Sequence, residues 1–209
     1  MSKEVLYATN NPGKIAEISK FFEFYDIKVV SPRDLKIDLD VPETGNSLEE
    51  NAILKVKGFL PVSGERLVIA DDTGLEIDSL GGKPGIHVRR WKDGITRMSD
   101  EEIINYCLDQ MKAISLRQRG AQFRTVLALG ISNRKVETFD GILRGVILET
   151  PASNRVEGFP FESLFFIPEW NMLLGEVHKL SMEEKGDKLI HREKALKKIV
   201  PRVKELIGM

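Results

Sequence analysis

Residues 5–30 read VLYATNNPGKIAEISKFFEFYDIKVV. Val5-Leu6-Tyr7-Ala8 is an apolar run that meets the turn signal Asn11-Pro12-Gly13, the pattern of a buried strand. From Lys14 to Phe24, Ile15, Ile18, Phe21 and Phe22 recur at helical spacing. Ile27-Lys28-Val29-Val30 is again a strand. A β-loop-α-β opening predicts an α/β fold whose first strands pair in parallel.

The rest of the chain extends this pattern. Leu48 to Leu60 predicts a second helix, with Ala52, Val56 and Phe59 on one stripe. Leu67-Val68-Ile69-Ala70 predicts another buried strand, ending in Asp71-Asp72. Ser99 and Glu102 have the spacing of a capping box ahead of Ile103, Ile104, Cys107, Leu108 and Met111. Phe123–Ile131 and Val136–Leu148 read as two long strands, and Ser132-Asn133-Arg134 between them predicts an antiparallel hairpin. His191 to Ile207 reads as a helix that Pro201 breaks or kinks. No repeat and no compositional linker divides the chain, so residues 1–209 read as one domain.

The 209 residues are long enough to bury a sizeable core, and 42% of them are hydrophobic, which excludes wholesale disorder. A formal charge of −1 argues against a general nucleic-acid or membrane-surface binder. No apolar run reaches membrane-spanning length, and Met1-Ser2-Lys3-Glu4-Val5 has no signal-peptide pattern. Cys107 stands alone, so no internal disulfide forms and a cytoplasmic protein is the simplest reading. It sits on an apolar stripe, which suits a core residue better than a nucleophile. His87, His178 and His191 are too dispersed for a zinc cluster.

Four segments have the residues for chemistry. Thr9-Asn10-Asn11-Pro12-Gly13-Lys14 joins a strand to a helix N-terminus, where free N–H groups and a lysine suit phosphate. It is not a P-loop, because Ala8 and Ile15 stand where Gly and Ser/Thr are needed; an ordinary polar turn has the same composition. Glu43, Glu49, Glu50 and the pair Asp71-Asp72 form an acidic set. Adjacent carboxylates at a strand end repel each other, and Mg²⁺ or Mn²⁺ with phosphates would relieve that repulsion; helix-start glutamates and a plain turn are the alternative. Gly81-Gly82-Lys83-Pro84-Gly85 would allow close backbone approach to a ligand or simply turn the chain. The tail from Lys188 to Lys204 has seven Lys/Arg against one acid, whereas Glu43 to Asp78 has eight acids against three bases. This division reads as an acidic, metal-holding half and a basic, phosphate-holding half.

Three blocks, Ala8 to Lys14, Glu43 to Lys55, and Ala70 to Asp78 with Leu80 to Gly85, resemble those of the non-canonical purine nucleoside triphosphate pyrophosphatases, the inosine triphosphatase family. The resemblance implies a mixed α/β fold with a long twisted sheet and two lobes around a central cleft. It implies cleavage of ITP, dITP or XTP between the α and β phosphates, dependence on Mg²⁺, and a homodimer. By matched position, Thr9, Asn10, Asn11 and Lys14, with Lys55, would hold phosphates. Glu43 and Asp72 would hold Mg²⁺, with Asp72 also the proton acceptor and Asp71 its support. Thr73 would touch the nucleotide, Phe159 would stack on the base, and Glu162, Lys185, His191 and Arg192 would complete base recognition.

The C-terminal blocks depart from the family pattern. Its G-F-G-Y-D-P appears as Gly158-Phe159-Pro160-Phe161-Glu162-Ser163, its S-A-R as Val88-Arg89-Arg90, and the loop before His191-Arg192 is one residue longer. Two other readings therefore stand beside the first: the same chemistry on a different modified nucleotide, and a non-enzymatic nucleotide- or RNA-binding protein using the basic tail. Trp91 and Trp170 read either as interface anchors or as core.

Overall fold

The β-loop-α-β opening is present in the computed structural model, which describes residues 4–132 and 135–209. β1 (Glu4–Tyr7) leads into α1 (Pro12–Glu23), and β2 (Lys28–Val30) returns to pair in parallel with β1. Asn11 starts α1: its side-chain oxygen accepts from Gly13 N at 3.0 Å and Lys14 N at 3.3 Å, and Pro12 takes the first turn, where no N–H is needed. α2 (Leu48–Phe59) starts on Ser47, which accepts from Glu50 N at 3.1 Å. Glu50 in turn accepts from Asn46 N at 2.7 Å, so this acidic candidate is a helix cap.

β3 (Leu67–Ile77) also pairs in parallel with β1, Tyr7 lying opposite Ile69. Here the sequence expectation needs correcting. The strand does not end at Asp71-Asp72 but continues to Ile77, placing both aspartates mid-strand. The pair lies just past the last β1 residue in register, where one edge of β3 loses its parallel partner. β5 (Gly120–Ser132) neighbours β3, and β4 (Pro84–Gly85) pairs antiparallel with Leu75 and Glu76. Pairing supplied by distant residues keeps Asp-Asp-Thr-Gly extended against its turn propensity.

α3 (Asp100–Gln110) begins with the expected capping box: Ser99 N donates to Glu102 Oε2 at 2.7 Å and Glu102 N to Ser99 Oγ at 3.3 Å. β6 (Lys135–Ile147) neighbours β5, as a hairpin requires; the turn signal Asn133-Arg134 lies outside the described residues. β7 (Phe165–Ile167) and β8 (Met172–Leu173) complete the order β2-β1-β3-β5-β6-β7-β8 with antiparallel pairings. α4 (Leu174–Lys179), α5 (Met182–Lys185) and α6 (His191–Ile207) follow. Pro201 lies inside α6 without ending it. The buried stripe Leu196, Ile199, Val200, Val203 and Ile207 offsets the backbone bond that Pro removes.

Two compact units are distinguished. The first comprises Met1–Thr73, Thr125–Ile142 and His191–Met209; the second comprises Gly74–Arg124 and Leu143–Ile190. In the first, Val5, Leu6, Ile18, Phe22, Val56 and Ile69 are fully buried. The second has its own core around Leu75, Ile103, Cys107, Leu164, Phe165 and Val177. Trp91 and Trp170 are partly buried against that core, and Trp91 meets Tyr106 edge to face at 5.5 Å. No helix among the described residues is long and apolar enough to cross a membrane.

Candidate active site

Both aspartates of β3 are buried in the first unit, yet their surroundings differ. Asp71 is saturated with donors. Its Oδ1 accepts from Tyr7 Oη at 2.6 Å, and its Oδ2 meets Lys14 Nζ at 3.0 Å, Thr73 Oγ1 at 3.2 Å and Arg192 Nε at 3.3 Å. Burial alone would raise its pKa, but Lys14, then Arg192 and Lys55, with the Tyr7 hydroxyl, pull it far below the usual carboxylate range. Asp71 is a fixed negative charge.

Asp72 has fewer partners. Its Oδ2 accepts from Asn51 Nδ2 at 2.9 Å, its Oδ1 accepts from Thr73 N at 3.0 Å, and Lys55 Nζ stands 3.8 Å from Oδ1. Burial raises its pKa more than Lys55 and Lys14 lower it. Two neighbouring carboxylates are thus separated in proton affinity, the more basic one being the less ligated.

The cations come from different elements. Lys14 projects from the first turn of α1, and burial depresses its pKa despite Asp71. Lys55, on α2, holds Glu43 Oε1 at 2.8 Å and also donates to the backbone oxygen of Asp71. Burial opposes its charge, but Asp72, Asp71 and Glu43 together keep its pKa raised. Lys55 in turn outweighs the burial of Glu43 and keeps that carboxyl acidic. Arg192, at the start of α6, is fully buried: Nη1 binds Glu17, Nε binds Asp71, and Nη2 donates to Thr73 Oγ1 at 3.3 Å. Burial works against its charge, and Glu17 and Asp71 more than restore it. Thr73 Oγ1 also meets Thr125 Oγ1 at 2.7 Å.

The structure therefore brings Lys14, Glu43, Lys55, Asp71, Asp72, Thr73 and Arg192 into one network. Asn11 Oδ1 is engaged in capping α1, Thr9 Oγ1 accepts from Asn11 N at 3.2 Å, and Asn10 is exposed. His191 is buried at the start of α6 in the same unit. Phe159, Glu162 and Lys185 lie in the second unit, the last two buried. Gly81 and Gly82, at φ +64° and +82°, close a turn on Asp78 and Ile77, and Asp78 pairs with Arg144.

Three cations of the basic tail are engaged with β6. Lys198 pairs with Asp140 at 2.7 Å, Arg202 with Glu137 at 2.9 Å, and Lys194 Nζ donates to Ile142 O at 3.0 Å, so these charges are used to fasten α6 to β6. Arg192, at the start of the tail helix, joins the acidic cluster. Tyr7, Glu17, Asn51 and Thr125 are contributors to this network that sequence reading missed. Glu17 follows Lys14 by one helical turn, a spacing that gave a usable signal. Tyr7 offered only a polar atom in an apolar strand.

A family model described as the Ham1 family matches residues 5–202. The chain is 35% identical over 197 residues to a dITP/XTP pyrophosphatase of Bacillus subtilis (strain 168), covering 94% of this chain and 95% of that protein. It is 34% identical over 209 residues to a dITP/XTP pyrophosphatase of Geobacillus kaustophilus (strain HTA426), covering 99% and 97%. The solved Ham1 protein of Staphylococcus aureus superposes with a TM-score of 0.76 at 32% identity, covering 97% of this chain and 98% of that one. On this agreement of sequence and fold, the chain belongs to the Ham1 family.

Proposed function

We propose that the protein hydrolyses non-canonical purine nucleoside triphosphates (ITP, dITP and XTP) to the monophosphate and pyrophosphate. The observation that carries this reading is the contrast in contacts between Asp71, which meets Tyr7, Lys14, Thr73 and Arg192, and Asp72, which accepts from Asn51 and Thr73 N and stands 3.8 Å from Lys55. Such a pair supplies a stable electrostatic anchor and a general base side by side. The relatives named dITP/XTP pyrophosphatase support the substrate class.

Among the described residues, no group of three His, Cys, Asp or Glu side chains is placed to hold a metal unaided. Mg²⁺ does not need one, because it binds through one or two carboxylates with waters and substrate phosphates. Glu43 and Asp72, both drawn to Lys55, fit that donor set. Bound there, the ion would neutralise phosphate charge. Lys14 and Lys55 add positive charge for the triphosphate, and Arg192 holds Asp71 in place. Asp72 accepts the proton of the attacking water as its oxygen bonds to the α phosphorus. The bond from that phosphorus to the bridging oxygen breaks, and pyrophosphate leaves. This scheme relies on positioning and electrostatics rather than a covalent intermediate.

The test is a panel of ITP, dITP, XTP, GTP and ATP with Mg²⁺, with pyrophosphate and orthophosphate measured separately. Pyrophosphate from the first three is expected. Orthophosphate as the first product overturns the reaction, and equal turnover of ATP or GTP overturns the substrate class. The same reading carries a homodimer in the cytoplasm, for which sedimentation and cell fractionation are the measurements.

A further inference from the structure

The second unit contains a buried pair that joins a motif position, Glu162, to a residue outside the motifs, His178. His178 on α4 binds Glu162 Oε1 through Nδ1, with side chains only 16% and 6% exposed. Gly175 lies one helical turn before His178 and presses on the same residue. A Cβ there would stand 3.1 Å from Glu162 Cβ and 3.3 Å from Oε2, so one face of α4 is fitted to this carboxylate. The His178 ring also lies 5.9 Å from the Phe159 ring, tilted by 55°. Phe159 and Glu162 belong to one tight turn, with Glu162 N donating to Phe159 O at 3.2 Å. His178 therefore contacts both the aromatic ring and the acid of that turn. Among the described residues, Glu162 Oε2 has no hydrogen-bond partner.

We propose that His178 is a positioning residue that sets base specificity. By engaging Oε1 it fixes the Glu162 carboxylate and leaves Oε2, in the turn that also carries Phe159, as one oriented acceptor. A base stacked on that ring is then selected for an N–H donor on its edge. Six-keto purines have such a donor at N1, whereas adenine presents a lone pair there that the carboxylate repels. The pair thus discriminates against adenine and not against guanine. This inference rests on the pyrophosphatase reading above and adds the means of base selection.

The experiment compares His178→Ala and His178→Asn with the unmodified protein, measuring kcat and KM for ITP and ATP and the melting temperature of each. His178→Ala should raise KM for ITP about tenfold at nearly constant kcat and narrow the preference over ATP by a similar factor. His178→Asn, whose amide nitrogen can take the place of Nδ1, should recover most of both. Unchanged KM and ranking in a folded His178→Ala, or a fall in kcat alone, overturns the proposal. If His178→Ala does not fold, a folded His178→Asn that retains less than a tenth of the ITP preference overturns it, and a near-normal preference supports it. Phe159→Ala separates the two levels. A raised KM there with none in His178→Ala removes only the role of His178. An unchanged KM in Phe159→Ala removes the base site itself.

Discussion

Tyr7 Oη donates to Asp71 Oδ1 at 2.6 Å, and both side chains are buried. The phenol keeps its proton, because burial and then the Asp71 charge push its pKa well above the usual value. A hydrogen bond to a buried charge is worth about 1.5–3 kcal/mol. Tyr7→Phe removes it while preserving ring packing. The expected result is a lower urea midpoint at unchanged slope, with a stability loss of about 2 kcal/mol.

Asparagine at each aspartate should have opposite consequences. Asp72→Asn removes the proposed proton acceptor but little burial energy, so kcat should fall at least about a hundredfold while far-ultraviolet dichroism and melting stay close to the parent. Asp71→Asn leaves Lys14 and Arg192 without their shared counter-charge. Breaking a buried pair in this way costs about 3–5 kcal/mol, so melting temperature should fall first. Kinetics and melting of the two variants decide the assignment, and an exchange of the two phenotypes would exchange the roles.

The same residues show what could be read from the chain. Val5-Leu6-Tyr7 and the Ser99–Glu102 box are local signals, and they gave their elements within a residue or two. The Lys14, Lys55 and Asp72 positions were legible as motif residues. The far end of β3 was not, because the strand runs on through Asp71-Asp72-Thr73-Gly74 only beside β5, with β4 pairing further on at Leu75 and Glu76. Nor was the network around Asp71. Arg192 lies 121 residues away in sequence and Tyr7 64. The pairing of Lys194, Lys198 and Arg202 with β6 was hidden for the same reason, since those partners are more than 50 residues distant.

Cys107 tests the core of the second unit through pH. It is fully buried, and burial pushes its thiol from 9.0 to about 12, with Arg119 opposing only in part. The folded chain binds this proton more tightly than the unfolded chain. Its contribution to stability is therefore complete below pH 9 and is lost as pH rises from 9 towards about 12. A thiol reagent at pH 8 should react with Cys107 only on unfolding, and Cys107→Val should remove part of the alkaline fall in melting temperature. Rapid labelling of the native protein would show that the core opens readily at this point.

Gly158, directly before Phe159, is held at both ends of its backbone. Arg89 Nη2 donates to Gly158 O at 2.6 Å, Gly158 N donates to Asp100 Oδ2 at 2.7 Å, and Arg89 and Asp100 pair with each other. Gly158 has φ +85°, a conformation that costs other residues about 1–2 kcal/mol. Asp100 is fixed in turn at the start of α3, next to the Ser99 cap. The clamp thus transmits the position of α3 to the ring proposed to carry the base. A planar fork can bind Asp100 and the carbonyl together, whereas an ammonium cannot reproduce that geometry. Arg89→Lys should raise KM for ITP about tenfold with kcat nearly constant, because small misplacements of a positioning group are felt in binding before chemistry. Steady-state kinetics with a parallel melt checks this. A lower melting temperature with unchanged KM would confine the clamp to stability and free Phe159 from dependence on it.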